Sequence, residues 1–195
     1  MRTFLRHQLW PAVALLVAFT LLTGVAYPAA ITLAAQVAFP GQANGSFVTV
    51  ADGRTIGSSL IGQAFDAPAY FSGRPSAAGT DGYDANASAG SNLGPTNAAL
   101  IQRIQDQVDG LRAANGDAPI PVDLVTTSAS GLDPDISPAN ARYQVARVAR
   151  ARGMTEADVQ AIVARHTEAP LLGFLGQPRV NVLLVNLDLD GLLAK

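Results

Sequence analysis

Trp10-Pro-Ala-Val-Ala-Leu-Leu-Val-Ala-Phe-Thr-Leu-Leu-Thr-Gly-Val-Ala-Tyr-Pro-Ala-Ala-Ile-Thr-Leu-Ala-Ala35 is the stretch on which the organisation of this chain turns. Its large apolar residues are Val13, Leu15, Leu16, Val17, Phe19, Leu21, Leu22, Val25, Ile31 and Leu33, with alanine filling most gaps. No Asp, Glu, Lys or Arg occurs between Arg6 and Asp52. A helix needs about 20 predominantly apolar residues to cross the hydrocarbon core. Near a helix centre these residues contribute on the order of −3 to −6 kcal/mol to insertion. Gly24, Pro28 and the threonines offset part of that, but no charge opposes it. A transmembrane helix over 10–35 is therefore expected.

The flanks set its direction. Arg2, Arg6 and the terminal amine precede the span, whereas Arg54, beside Asp52, is the nearest basic residue after it. The positive-inside rule places residues 1–9 in the cytoplasm and residues 36–195 outside it. A cleaved signal peptide is the rival reading. Its apolar region would run only about 7–15 residues before a small-residue cleavage site. Here the run is about twice as long, contains Pro28, and opens on an interfacial tryptophan. Ala26, Ala30 and Ala34, like Ala14 and Ala18, recur at a spacing that lets a partner helix approach closely. A four-residue step drifts by about 40° per repeat, so only two or three share one face.

Beyond Pro40 the composition changes. The 195 residues are 49% hydrophobic and 14% charged, and nearly all the charge lies in this part, with a slight acidic excess. That balance excludes the basic face of a nucleic-acid binder. Cysteine is absent, which removes disulfides, thiol catalysis and thiolate metal sites. Ser46–Val50 reads as a strand closed by Asp52-Gly53. Residues 66–98 are dominated by Gly, Ala, Ser, Pro, Asp and Asn; Tyr70, Phe71 and Tyr83 suggest that this long irregular segment is pinned down.

Leu100, Ile101, Ile104, Val108 and Leu111 form a helical stripe ending at Gly116. Residues 120–125 read as a short strand or extended segment. Ser137-Pro138 opens a helix that runs to Arg152 and stops at Gly153. Thr155 and Asp158 resemble a capping box for a third helix carrying Val159, Ile162 and Val163 inward. Val180–Leu187 reads as a largely buried strand. The expected fold class is α+β: one transmembrane helix followed by a small mixed α/β domain.

No catalytic constellation emerges. Gly90–Asn97 lacks the Gly-Lys-Ser/Thr ending of a phosphate loop and reads as a turn into the first soluble helix. Asp133 and Asp135 lack the further ligands of a calcium loop, so turn chemistry and capping explain them. His166 lies near a helix C-terminus, where a cation suits the helix dipole. Arg142, Arg147, Arg150 and Arg152 read as solvated surface, partners of acidic neighbours, or a contact for an acidic subunit.

Several long segments together resemble a known family. They are Gly57-Ser-Ser-Leu-Ile-Gly-Gln63, Tyr70-Phe-Ser-Gly-Arg-Pro-Ser76, Ser91-Asn-Leu-Gly-Pro-Thr-Asn97, residues 122–137, and Pro178-Arg-Val-Asn-Val182. They closely resemble the C subunit of the bacterial Kdp-type potassium-transporting ATPase, over essentially the whole chain. The resemblance implies an inner-membrane complex that imports potassium. Its expected partners are a channel-like subunit that carries potassium, a P-type ATPase subunit and a very small single-span subunit, besides membrane lipid. This chain would be the accessory, non-catalytic member, described in the family as a catalytic chaperone that raises the ATPase subunit's affinity for ATP. The resemblance also implies a nucleotide contact at Gln144, with Arg147 beside it, and ATP as the only cofactor. That contact conflicts with a domain outside the cytoplasm, where ATP is scarce, and favours a structural or interfacial Gln144. A directly nucleotide-binding regulator and a secreted periplasmic binding domain are the alternatives.

Overall fold

The computed structural model describes residues 2–193; the outer limits of the expected segments, at Met1 and at Ala194 and Lys195, lie outside them. The chain divides after Phe47 into two units.

Most of the first unit is one continuous helix. Helix α1 (Arg2–Leu21) passes through a π-helical turn (Leu22–Ala26) into α2 (Tyr27–Ala38). The cause of the wide turn is Pro28. Proline lacks an N–H, and in a regular helix its ring would strike the carbonyl four residues back, that of Gly24. In the π-turn Tyr27 N donates to Leu22 O, and Thr23 Oγ1 donates to Phe19 O at 2.7 Å. Local π adjustment and threonine side chains re-satisfy the backbone where proline interrupts it. Residues His7–Ala38 form 32 residues of apolar helix, about 48 Å at 1.5 Å per residue, with no residue of it buried. That exceeds the roughly 30 Å hydrocarbon thickness. Pro40 drives Phe39 out of helical geometry, and the short helix α3 (Pro40–Ala43) follows. Gln36 and Asn44 clamp this corner through reciprocal amide hydrogen bonds of 3.2 and 3.1 Å.

The second unit mixes helix and sheet. Strands β1 (Phe47–Thr49) and β2 (Thr55–Ser58) form a hairpin whose turn is held by Asp52 accepting from Arg54 N at 2.9 Å. No regular element occurs until α4 (Ala98–Asn115), which Asn97 caps and Gly116 ends. A 3₁₀ turn (Val122–Leu124) precedes β3 (Asp135–Ile136), α5 (Pro138–Arg152), α6 (Glu156–Arg165) and β4 (Thr167–Glu168). Strand β5 (Arg179–Asn181) leads directly into α7 (Val182–Leu189). Strands β3, β5 and β4 make an antiparallel sheet with β5 central, Ile136 and Thr167 both facing Val180 in register.

Two expectations need correction. Residues 180–187 are not one strand: Asn181 Oδ1 accepts from Leu184 N at 3.1 Å and caps α7. An uninterrupted apolar run has no period to separate a buried strand from a buried helix. Residues 122–124 form a 3₁₀ turn rather than extended chain, placing Asp123 to accept from Ser137 N at 2.8 Å and Asn140 Nδ2 at 3.1 Å.

The core lies where α5, α6 and α7 meet the sheet. Ile136, Val145, Val148, Val159, Val163, Val180 and Val185 are buried together with Phe71, which the irregular segment contributes. Burying side chains of this size contributes about 1.5–3 kcal/mol each. That segment threads tightly: a Cβ at Gly131, where φ is +68°, would stand 2.6 Å from Ala89 O. Only glycine fits both the conformation and the space.

Candidate functional site

Residues 65–76 cross the face of α5 and α7 without a strand to receive them. Their backbone is held instead by side-chain amides. Phe71 N donates to Asn186 Oδ1 at 2.8 Å, and Asn186 Nδ2 donates to Phe71 O at 2.9 Å. One residue on, Ser72 N donates to Gln144 Oε1 at 2.8 Å, and Gln144 Nε2 donates to Ser72 O at 3.0 Å. Each amide thus imitates the neighbouring strand that the segment lacks.

The structure places Gln144 and Arg147 together on α5, beneath this segment. Gln144 is 2% exposed. Its Nε2 also donates to Asn140 Oδ1 at 2.6 Å, and its Oε1 also accepts from Arg147 at 2.6 Å. Two donor hydrogens and two acceptor lone pairs are all an amide offers, and all four are engaged within the domain. The second guanidinium nitrogen of Arg147 donates to Pro68 O at 2.7 Å, and burial lowers the pKa of this group.

Of the four arginines on α5, Arg147 and Arg152 hold the irregular segment, while Arg142 and Arg150 are exposed. Arg152 donates to Ala69 O at 2.6 Å, pairs with Asp190 at 2.8 Å, and lies 4.9 Å over the Tyr70 ring. The fully buried Phe71 was signalled in the sequence only by an aromatic amid small residues. The partner amides Asn140 and Asn186 carry no sequence signal, because they act across more than a hundred residues or from inside a helix.

A cleft of about 400 Å³ opens between α4 and this segment, lined by Asp66, Ser72, Arg74, Ser76, Tyr83 and Gln107 among others. A neighbouring one of about 250 Å³ is bordered by Gln144, Arg147 and Tyr143. Tyr83 donates to Arg74 O at 2.6 Å; burial pushes its phenol up to about 12, helped by the charges of Asp133 and Asp66. Arg74 pairs with Asp133 at 3.0 Å. Ser76 Oγ donates to Gly131 O at 2.6 Å and accepts from Tyr83 N at 2.8 Å. These groups are engaged in holding loops together.

Asp133 Oδ1 also accepts from Asp135 N at 3.1 Å, the turn chemistry expected of it. His166 caps α6 and contacts Asp188 at 2.8 Å. Gly90–Asn97 leads into α4, with Asn97 Oδ1 accepting from Ala99 N at 2.8 Å. Among the described residues no group of three or more His, Asp or Glu is arranged to hold a metal ion.

The described residues thus make an α+β protein: a mixed domain whose irregular segment is latched by buried amides, preceded by one helix long and apolar enough to cross a bilayer. The family described as KdpC, the c chain of K+-transporting ATPase, matches residues 9–191, and this chain belongs to it. A potassium-transporting ATPase KdpC subunit of Sorangium cellulosum is 62% identical over 186 residues, covering 94% of this chain and 97% of the relative. That of Caulobacter vibrioides is 59% identical over 183 residues, covering 94% and 92%. That of Herpetosiphon aurantiacus is 58% identical over 192 residues, covering 97% of each.

Proposed function

We propose that this chain is the accessory, non-catalytic subunit of an ATP-driven potassium import complex. Its helix would dock in the membrane against the potassium-carrying subunit, and its domain would stand outside the cytoplasm. The observation that carries the reading is the family match across residues 9–191, which takes in both the apolar helix and the domain. The relatives named above are subunits of a potassium-transporting ATPase. Charge asymmetry at the helix flanks supports the orientation.

In this reading Gln144 and Arg147 are structural residues. Binding a nucleotide through Gln144 would require breaking hydrogen bonds that hold Ser72 in place, each left unmade at a cost of about 1–3 kcal/mol. An effect on ATP affinity in the ATPase subunit would then be allosteric. It would require this chain to bind differently to the pump's conformational states.

The test is deletion. Cells lacking this chain lose growth and potassium uptake at limiting external potassium, and a plasmid copy restores both. Normal uptake in the deletion strain overturns the proposal.

A further inference from the structure

Between β4 and β5 the chain makes a tight excursion, Pro170-Leu-Leu-Gly-Phe-Leu-Gly176. Leu171 and Leu175 exchange both backbone hydrogen bonds at 2.9 Å, and Phe174 N donates to Leu171 O at 3.3 Å. Leu172 and Gly173 between them both have positive φ, 56° and 82°, as in a primed hairpin turn. The tip is therefore ordered by its own backbone. What it displays is apolar: Leu171 is 69% exposed, Leu172 76%, Phe174 73% and Leu175 48%.

Two features of this tip cost stability. Four large apolar side chains stand in water. Leu172 also occupies the left-handed region, which costs a bulky residue about 1–3 kcal/mol and which glycine or asparagine would fill without strain. Neither cost is recovered by packing inside the domain. Strain retained at an exposed apolar apex points to a contact made outside this chain.

Charge decides which contact. The ten residues from Ala169 to Pro178 carry no charge. At the base, Arg179 is held by Glu168 at 2.6 Å and by Asp135 at 3.2 Å. A loop that enters a bilayer gains from free basic residues facing anionic headgroups. Here the flanking cation is engaged by two carboxylates, and the local excess is negative. Large apolar and aromatic anchors on a pre-ordered turn, ringed by satisfied polar groups, match the centre of a protein–protein interface.

We infer that the 170–176 hairpin is a docking finger that seats Leu172 and Phe174 in an uncharged apolar cleft on another protein chain of the same assembly. This rests on the subunit reading above.

The discriminating variant is Leu172→Asn in the full-length chain. Asparagine tolerates the left-handed conformation, so the thermal midpoint stays equal or rises, while the apolar anchor is lost. Recovery of the other ATPase chains, identified by mass, with the tagged variant falls at least about tenfold. A second variant separates protein from lipid: Phe174→Trp in a Trp10→Phe background, reconstituted in nanodiscs. Its emission is blue-shifted and protected from quencher in the whole complex, and water-like with this chain alone. Protected emission in lipid alone assigns the finger to the bilayer and overturns the inference, as does wild-type recovery with Leu172→Asn. If the unaltered chain recovers no ATPase chains, the subunit reading itself falls, and the docking finger with it.

Discussion

Asn186 holds Phe71 by both ends, its Oδ1 accepting from the Phe71 N–H at 2.8 Å and its Nδ2 donating to the Phe71 carbonyl at 2.9 Å, across 115 residues of sequence. Both residues are buried, at 1% and 0% exposure. The pairing anchors a long irregular segment to the C-terminal helix, and it seats the Phe71 ring in the core as a consequence.

Asn186→Leu is of similar size but leaves a buried N–H and a buried carbonyl unpaired. Each costs about 1–3 kcal/mol, so about 2–6 kcal/mol is expected, a large share of a domain's usual 5–15. Urea unfolding of the full chain in detergent measures it. A loss under about 1 kcal/mol would mean that the segment finds other partners.

Gln144→Ala should behave as a stability variant. It removes both bonds to Ser72 and leaves Arg147 with Pro68 O and without its side-chain acceptor. A loss of about 2–4 kcal/mol is expected. Photolabelling of the purified complex with an ATP analogue should mark the ATPase subunit and leave this chain unlabelled, with or without the substitution. A label on this chain that Gln144→Ala removes, at unchanged stability, would restore the nucleotide contact.

These two amides show where sequence reading ends. Helices α5 and α6 were legible because their signals are local: Ser137 caps Asn140 N at 3.0 Å, and Thr155 caps Asp158 N at 3.1 Å. Gly153 ends α5 in the left-handed conformation expected of that residue type. The Val180–Leu187 run misled because its side chains are buried nearly all round. Asn181 was the one local sign of a helix start, and within an apolar run it reads equally as a strand residue. Tyr70 and Phe71 announced that the irregular segment is anchored. Nothing near them in sequence names Gln144 and Asn186 as the anchors, since that pairing exists only once the helices have packed.

Asp135 gives a prediction in pH. Burial raises its pKa, Arg179 pulls it down, and Asp133 and Glu168 push it up again; the net shift is upward. An acid whose folded pKa lies above its unfolded value of about 3.9 favours unfolding once ionised. Below that value both states are protonated and nothing is lost. The penalty grows as pH rises through the interval up to the folded pKa and is complete above it. Asp135→Asn retains an oxygen for Asn181 Nδ2, so it should gain stability over wild type at pH 7 and lose that gain near pH 3. Asp188 runs the other way. Burial pushes it up, but hydrogen bonds from His166 and Arg165 outweigh this and lower it, so its contribution is present above about pH 4 and fades on acidification. Urea midpoints of Asp135→Asn and Asp188→Asn across pH 3–7 should therefore diverge from wild type in opposite senses. Parallel curves would refute the assignment.

The orientation of the helix is open to a direct test because the chain contains no cysteine. Gln8→Cys lies at the N-terminal end of the apolar helix, just before residues 10–35, and Ala113→Cys lies on an exposed face of α4. With Arg2 and Arg6 before the span and no basic residue until Arg54 after it, the N-terminal end should stay in the cytoplasm. A membrane-impermeant maleimide added to intact, outer-membrane-permeabilised cells should label Ala113→Cys fully and Gln8→Cys only after lysis. Intact mass of the labelled protein should still include residues 10–35, since removal of the span would leave Ala113→Cys labelled on a secreted product. The reverse pattern would put Gln144 on the side where ATP is abundant. Only the hydrogen bonds that occupy Gln144 would then stand against direct nucleotide contact.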